Sequence, residues 1–232
     1  MRKFILLILV LFISSSIFAQ QEAGIWSTIS IDKKIHEKWN LGAEAELRTF
    51  GGTDIYLVEQ VERWTLTTNV GYSPLKPLNL SATYILMDVF DTKYDNYHWQ
   101  HRFYLSAVGR QNWGNFSFSL RERLQITTRD DSKRIEPYEI KTDVVLRNRL
   151  LVAYNISNLP ITPSASFEAF YLLNHPNNNK FNEFRYILSL AYKINSKNTF
   201  ELYGLYRQNP AKPPKASTFG VYILGLSYKI SL

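Results

Sequence analysis

The chain of 232 residues contains no cysteine, so it has neither a disulfide framework nor a thiolate site. After residue 19, no apolar run approaches the roughly 20 residues that a membrane-spanning helix needs. No later segment keeps a hydrophobic period of 3.6 residues, so we predict no helices there. The net charge is +7, but lysine and arginine are scattered along the chain without a long run. This pattern argues against nucleic acid as a partner.

Aromatic side chains are abundant. They make up 15% of the residues, with fifteen tyrosines and fourteen phenylalanines. The mean hydropathy of -0.21 is typical of a soluble protein. A membrane barrel with a polar interior gives the same average, because its lumen-facing residues offset its lipid-facing ones.

The N-terminus predicts export. Arg2 and Lys3 precede an apolar run over residues 4–13, and a small-residue cleavage site follows at Ala19. The run is too short for a membrane anchor. No cysteine follows it, which excludes a lipoprotein anchor. We therefore expect a signal peptide over residues 1–19 and one exported domain over residues 20–232, in a Gram-negative cell.

The stretch from Trp39 to Phe50 shows the pattern that the rest of the chain repeats. Trp39, Leu41 and Leu47 share one parity, and charged residues such as Glu44 share the other. Side chains alternate across a strand, so the segment has one apolar and one charged face. In a water-soluble fold the apolar face would line a core, whereas in an outer-membrane barrel it would meet lipid.

Alternating legs of about 11 to 16 residues fill the remainder of the chain, which is long for soluble strands and sufficient to cross a membrane. Short and long connections alternate between them, as periplasmic turns and outer loops do. These features predict an all-β fold, a transmembrane antiparallel up-and-down β-barrel. Eleven legs can be counted, whereas closed antiparallel barrels have an even number. We therefore favour ten wall strands from Trp39 to Leu232, with Glu22 to Ile31 outside the wall, and keep twelve as the other option.

Five aromatic residues share the predicted lipid-facing parity and lie beside the short turns. Such residues form a girdle at the headgroup level of a membrane. They are predicted to be membrane-interface residues: Trp39, Tyr72, Tyr154, Tyr192 and Tyr228.

The opposite parity carries many charged residues that would face the lumen, with arginine dominating over lysine, as expected where carboxylates are paired. One hypothesis is a structural network of ion pairs that fills the lumen. The other is a narrow, porin-like passage that favours anions, because bases outnumber acids. The predicted lumen network consists of Glu44, Glu46, Arg48, Glu59, Arg63, Arg102, Arg121, Arg123, Arg147, Arg149, Glu183, Arg185, Glu201 and Arg207.

Three polar residues at lipid-facing parity are the candidates for catalysis: His101, Glu122 and Asn148. Hairpin counting places Glu122 opposite Asn148, and His101 is expected to be a diagonal neighbour of Glu122. A histidine oriented by a carboxylate could serve an acyl hydrolase that acts on membrane lipid. No serine of matching parity lies nearby. A β-bulge that reverses the parity is the alternative explanation for such residues.

The runs KKIHEKWNLGAEAELR, residues 33–48, and HWQHRFYL, residues 98–105, resemble an uncharacterised outer-membrane barrel family, domain of unknown function 2490. The resemblance spans nearly all of the exported domain. It implies an outer-membrane barrel and supplies no catalytic residues. The final Leu232 departs from the terminal aromatic residue of many barrels, although Tyr228 and Ile230 keep the pattern.

The leading hypothesis is a non-enzymatic barrel in the outer membrane, acting as a structural barrel or narrow passive channel. Its expected partners are outer-membrane lipid and the barrel assembly machinery, with no cofactor and no metal. The alternatives are a lipid-modifying acyl hydrolase and a soluble periplasmic β-sandwich or lipocalin-like binder. The sequence names no small-molecule ligand.

Overall fold

The structure is a computed structural model, and it describes residues 22–51, 60–91, 95–129, 141–176, 178–210 and 220–232. Within these ranges the regular elements are all strands, so the all-β prediction is confirmed. None of the described residues belongs to a helix long and apolar enough to cross a membrane. The strands are β1 (Glu22–Lys34), β2 (Trp39–Gly51), β3 (Gln60–Leu75), β4 (Leu78–Asp91), β5 (Asn96–Trp113), β6 (Phe116–Arg129), β7 (Lys141–Tyr154), β8 (Ile161–Leu172), β9 (Lys180–Lys193), β10 (Asn198–Gln208) and β11 (Gly220–Ser231).

The described strands form one closed barrel in which every strand pairs with its neighbours in the sequence, and β1 pairs with β11. Closure leaves no unpaired strand edge in this sheet. There is one curved sheet rather than two packed sheets, so the β-sandwich alternative is wrong.

The preference for ten wall strands, with twelve as the option, is also wrong, because β1 is part of the wall. β1 lies between β2 and β11, and it pairs with β11 in parallel. Ile31 lies opposite Ile230, and the backbone N–H of Leu232 donates to the carbonyl of Asp32 at 2.8 Å. An odd number of strands makes the first and last run in the same direction. A parallel ladder still satisfies their backbone groups, with slanted hydrogen bonds.

Connections of two to six residues join the strands at one end of the barrel, here called the short-turn rim. They span residues 35–38, 76–77, 114–115, 155–160 and 194–197. At the tightest, Gly114 adopts a φ of 57°, which suits a two-residue hairpin. The opposite end, here called the long-loop rim, carries the connections over residues 52–59, 92–95, 130–140, 173–179 and 209–219. Successive strands are antiparallel, so successive connections lie at opposite ends of the barrel.

Three register shifts interrupt the regular ladders of the described strands, and one of them lies between Tyr72 and Leu75 in the ladder of β3 and β4. Between β2 and β3 the register shifts after Arg48, so Glu62 is an extra residue on β3. Between β8 and β9 it shifts after Phe170, so Asn182 is an extra residue on β9. A bulge reverses the parity of the residues beyond it. This accounts for Glu62, whose parity from the middle of β3 would place it outside but whose carboxylate pairs with Arg63.

The apolar parity faces outward along the barrel. Leu188 is 70% exposed on the outer surface, whereas the side chain of Arg185, three residues away on β9, is 13% exposed. Leu41 and Leu120 are exposed in the same way. These leucines therefore lie on the outside of the barrel and not in a dry core.

Candidate functional site: the charged lumen

A cavity of about 520 Å³ runs inside the barrel. Its lining extends from Ser164 and Ser189 in the short-turn half to Arg129 and Asp143 at the long-loop ends of β6 and β7. Of the predicted lumen residues, Glu59 lies outside the described residues. The other thirteen line this cavity: Glu44, Glu46, Arg48, Arg63, Arg102, Arg121, Arg123, Arg147, Arg149, Glu183, Arg185, Glu201 and Arg207.

Glu168 on β8 is the most connected carboxylate of the lumen. Its side chain is 3% exposed, and its Oε1 accepts hydrogen bonds from Arg121 Nη2 at 2.5 Å and Arg147 Nη2 at 3.0 Å. Arg147 Nε also donates to it, at 3.2 Å, and Arg147 Nη1 donates to Gln125 Oε1 at 2.9 Å. Charge-assisted bonds of this kind are the strong ones in a low-dielectric environment. Glu168 therefore ties β6, β7 and β8 together from the inside.

Four arginines face one another across β6 and β7, and we call them the arginine square. Arg121 lies opposite Arg149, and Arg123 lies opposite Arg147. Like charges placed directly opposite in a sheet repel and destabilise it. Glu168 accepts from Arg121 and Arg147 but from neither of the other two.

Among the described residues, three other arginine–carboxylate pairs are local, whereas Arg129 of β6 pairs with Asp143 of β7. Arg48 Nε donates to Glu46 Oε1 at 2.6 Å, two residues away on the same face of β2. Arg185 pairs with Glu183 in the same way on β9. Local pairs neutralise each other without joining strands, so they line the lumen rather than block it.

Aromatic rings inside the barrel hold several guanidinium groups. The Arg48 guanidinium carbon lies 3.6 Å from the ring centroid of Trp26, and that of Arg123 lies 4.0 Å from Tyr104. Arg147 stacks on Phe170 at 4.2 Å. Cation–π contacts fix the orientation of arginine and cover one of its faces. In the sequence, Trp26 shares its parity with the polar residues Thr28 and Ser30. That shared parity was the signal that Trp26 faces inward.

Two apolar clusters occupy the long-loop half of the interior. One joins Trp26, Leu205, Val221 and Ile223, and the other joins Ile85, Met87 and Tyr104. The sequence analysis did not single out these inward-facing apolar residues. Trp26 and Tyr104 of these clusters carry the stacked guanidinium groups of Arg48 and Arg123.

Arginine exceeds the acids along the cavity. Ten arginines line it against six carboxylates. Glu44 and Glu46 lie on β2 and Glu201 on β10, whereas the arginine square lies on β6 and β7, across the ring. The lumen thus has an acidic side and a basic side, and its chemistry suits anion binding. No cluster of three or more metal-ligating side chains occurs in the ranges that the structure describes.

The three catalytic candidates do not form a site. The register places Glu122 opposite Asn148, as expected, but it pairs Glu122 with Ala107 and His101 with Thr128. The prediction that His101 neighbours Glu122 is therefore wrong: six residues separate their positions along β5, or about 20 Å at strand rise. The two-residue turn at Gly114 fixes this register. His101 Nδ1 instead lies 2.8 Å from the hydroxyl of Tyr84.

The five predicted interface aromatics all lie near the short-turn rim, on the outer surface. Trp39 packs against Tyr72 with ring centroids 4.7 Å apart, and Tyr154 packs against Phe116 at 4.9 Å. The hydroxyl of Tyr228 donates to the side-chain oxygen of Asn198 at 3.0 Å. Trp113, which is 79% exposed beside them, was not among the predicted residues.

A second aromatic belt near the long-loop rim was also missed. Trp64 and Trp99 meet edge to face at 5.1 Å, and Tyr171 packs on Phe181 at 5.0 Å. Their outward parity and their height near the other ends of the strands were the signals in the sequence. The belt contains Trp64, Phe90, Tyr97, Trp99, Tyr171, Phe181, Tyr186, Tyr206 and Tyr222.

Comparison with known proteins identifies a family. No curated protein matches the chain. The family model described as "Protein of unknown function (DUF2490)" matches residues 23–218, which extends from the start of β1 to just before β11. The chain, a closed eleven-stranded barrel with a charged lumen, therefore belongs to the DUF2490 family.

Proposed function

We propose that this protein is a non-enzymatic β-barrel of the Gram-negative outer membrane, with a lumen that serves as a narrow passive passage favouring small anions. The observation that carries the proposal is the inversion of its two faces. Exposed leucines cover the outside, while buried arginines and carboxylates line the inside. Such a surface is stable only where hydrocarbon covers it.

The two aromatic belts support a membrane of ordinary thickness. On β9, Phe181 and Tyr192 are eleven residues apart and belong to opposite belts. At about 3.3 Å per residue and a tilt of about 40°, they are separated by about 28 Å of height. The apolar band of outer-membrane barrels is about 25 Å tall. All the strands also have at least the length that a crossing needs.

The expected export signal over residues 1–19, which lies outside the described residues, supports the same location. Outer-membrane lipid and the barrel assembly machinery are the proposed partners. Tyr228 and Ile230 provide the alternating terminal strand that such machinery would read. The short-turn rim would then face the periplasm and the long-loop rim the outside.

The excess of arginine supports a passage rather than a solid plug. Ten arginines against six carboxylates leave the cavity with a positive balance, and rings of arginine select anions. A passage of about 520 Å³ suits only small solutes. A barrel with purely structural ion pairs is the competing outcome of the experiment below.

Two measurements test the proposal. In cell fractionation, the protein should remain with the membranes after a high-salt wash and require detergent for release; release without detergent would reject the membrane location. In planar bilayers, the purified barrel should give small conductance steps. In a KCl gradient, its reversal potential should be shifted toward the equilibrium potential of chloride. Insertion without steps would reject the passage and leave a structural barrel.

A further inference from the structure

We infer that the arginine square is a binding site for one small oxyanion carrying two charges, of the phosphate or phosphomonoester class. The inference deepens the proposed passage, on which its biological meaning rests, by naming the solute class that the lumen would hold. The binding itself requires only the folded barrel.

The register places the four arginines next to one another on the cavity-facing side of β6 and β7. Residues directly opposite on paired strands have Cβ atoms about 5 Å apart, and diagonal neighbours lie within reach of long side chains. Arg121 and Arg149 are one such pair, and Arg123 and Arg147 are the next pair on the same face. All four line the cavity.

Glu168 forms ion pairs along only one diagonal of the square, although it lies directly opposite Arg149 in the register of β7 and β8. Its Oε1 accepts from Arg121 and Arg147. Arg123 Nε donates to the neutral Ser106 Oγ at 2.9 Å, and no described carboxylate pairs with Arg149. The diagonal from Arg123 to Arg149 therefore carries two positive charges with no described carboxylate partner.

Two of the four arginines carry an unsatisfied donor, one on each diagonal of the square. Arg149 Nε and Arg121 Nε are buried and have no hydrogen-bond partner among the described residues. Buried donors left without partners cost free energy, so a ligand that accepts hydrogen bonds from them would be stabilised. A ligand that draws the Arg149 guanidinium toward the centre of the square would satisfy its donors.

A tetrahedral oxyanion fits this arrangement better than chloride does. Guanidinium groups present forked pairs of donors that match the oxygens of phosphate, and the four arginines with Glu168 leave about three positive charges to balance. Gln125 and Ser106 occupy neighbouring positions as neutral acceptors for Arg147 and Arg123, which keeps those side chains in place.

The test is calorimetric titration of the purified full barrel in detergent, in phosphate-free buffer, with inorganic phosphate and, in a second arm, glycerol phosphate. Saturable binding with one site per chain is expected for at least one of the two, with sodium chloride at equal ionic strength giving none. Arg149→Gln should weaken binding at least tenfold. Arg123→Gln repeats the test in case the first variant does not fold.

Arg207→Gln is the matched control. Arg207 also lines the cavity and has no carboxylate partner among the described residues, but it lies on β10, outside the square. It should change the affinity less than twofold. Equal weakening by both substitutions, or no saturable binding of either anion, would overturn the inference.

A stability measurement separates a binding site from a merely structural cluster. Without phosphate, Arg149→Gln should unfold at a higher temperature than the parent chain, because the substitution removes repulsion between opposed arginines. Phosphate should raise the unfolding temperature of the parent and leave that of the variant unchanged. The binding measurements are made in micelles and do not depend on ion conduction. A barrel that binds phosphate but conducts no ions would therefore refute the proposed passage and leave the binding site standing.

Discussion

Glu168 joins three strands through two buried arginines, and its replacement should be costly. Glu168→Gln leaves Arg121 and Arg147 without their carboxylate at a position where the carboxylate side chain is 3% exposed. Removing one partner of a buried ion pair typically costs about 3–5 kcal/mol. We expect a loss of this order in the free energy of unfolding, measured by urea denaturation of the barrel in lipid vesicles.

Glu201→Gln is the control for this substitution. Glu201 lines the same cavity but makes no ion pair among the described residues. Its neutralisation should change the free energy of unfolding by less than about 1 kcal/mol, as for ordinary substitutions away from buried networks. Equal costs at the two positions would mean that Glu168 does not hold the strands together.

Leu188 tests which solvent covers the outer surface. It lies on β9 between Tyr186 of the second aromatic belt and Tyr192 of the belt at the short-turn rim. Leu188→Arg should destabilise the inserted barrel by about 2–4 kcal/mol, whereas Leu75→Arg at the short-turn rim should cost about 0–1 kcal/mol. Reversible unfolding in vesicles measures both. Similar small costs would mean that water, not lipid, meets Leu188.

Parity carried most of the residue-scale prediction, and bulges limited it. The alternation along each strand assigned Arg121, Arg147 and their neighbours to one face, and thirteen of the predicted lumen residues line the cavity. A bulge adds one residue to a strand without any characteristic residue type. The register shift at Glu62 was therefore visible in the sequence only as a charged residue at the outward-facing parity. The partners chosen by Glu168 depend on rotamers that alternation does not specify.

At the scale of the strands, the pairing of β1 with β11 can be tested by cross-linking. The chain contains no cysteine of its own, so two introduced cysteines can react only with each other. Ile31→Cys combined with Ile230→Cys should form a disulfide, because these residues are direct partners. Leu41→Cys combined with Ile230→Cys should not, because β1 intervenes and places their Cα atoms beyond the roughly 7 Å limit. Electrophoresis without reductant measures both. If only the second pair cross-linked, β1 would lie outside the wall and the prediction of ten wall strands would be correct.

The legs of the barrel were predictable, but their closure was not. Alternation and turn chemistry located β2 within one residue of its observed bounds, Trp39–Gly51. The role of residues 22–34 was missed because an even, wholly antiparallel wall was assumed. Nothing in the alternation of Ile25, Ile29 and Ile31 distinguishes a parallel neighbour from an antiparallel one. The error at His101 came from neglecting the register that the turn at Gly114 imposes.

For the molecule as a whole, the balance of lumen charge should set the ion preference. Glu44→Gln removes a negative charge and Arg207→Gln a positive one, and neither residue has a described ion-pair partner. The ratio of anion to cation permeability should therefore rise with the first substitution and fall with the second. Reversal potentials in a KCl gradient measure the ratio. A shift in the same direction for both would show that lumen charge does not govern selectivity.

Because β1 and β11 run in the same direction, the chain enters β1 at the long-loop rim and leaves β11 at the short-turn rim. In the proposed membrane, a peptide tag fused just ahead of Glu22 and another fused after Leu232 would therefore occupy different compartments. In intact cells an antibody would reach only one of the two, and permeabilising the envelope would reveal the other. A protein of this shape can display cargo from one extremity while tethering a second cargo on the inner side of the same membrane.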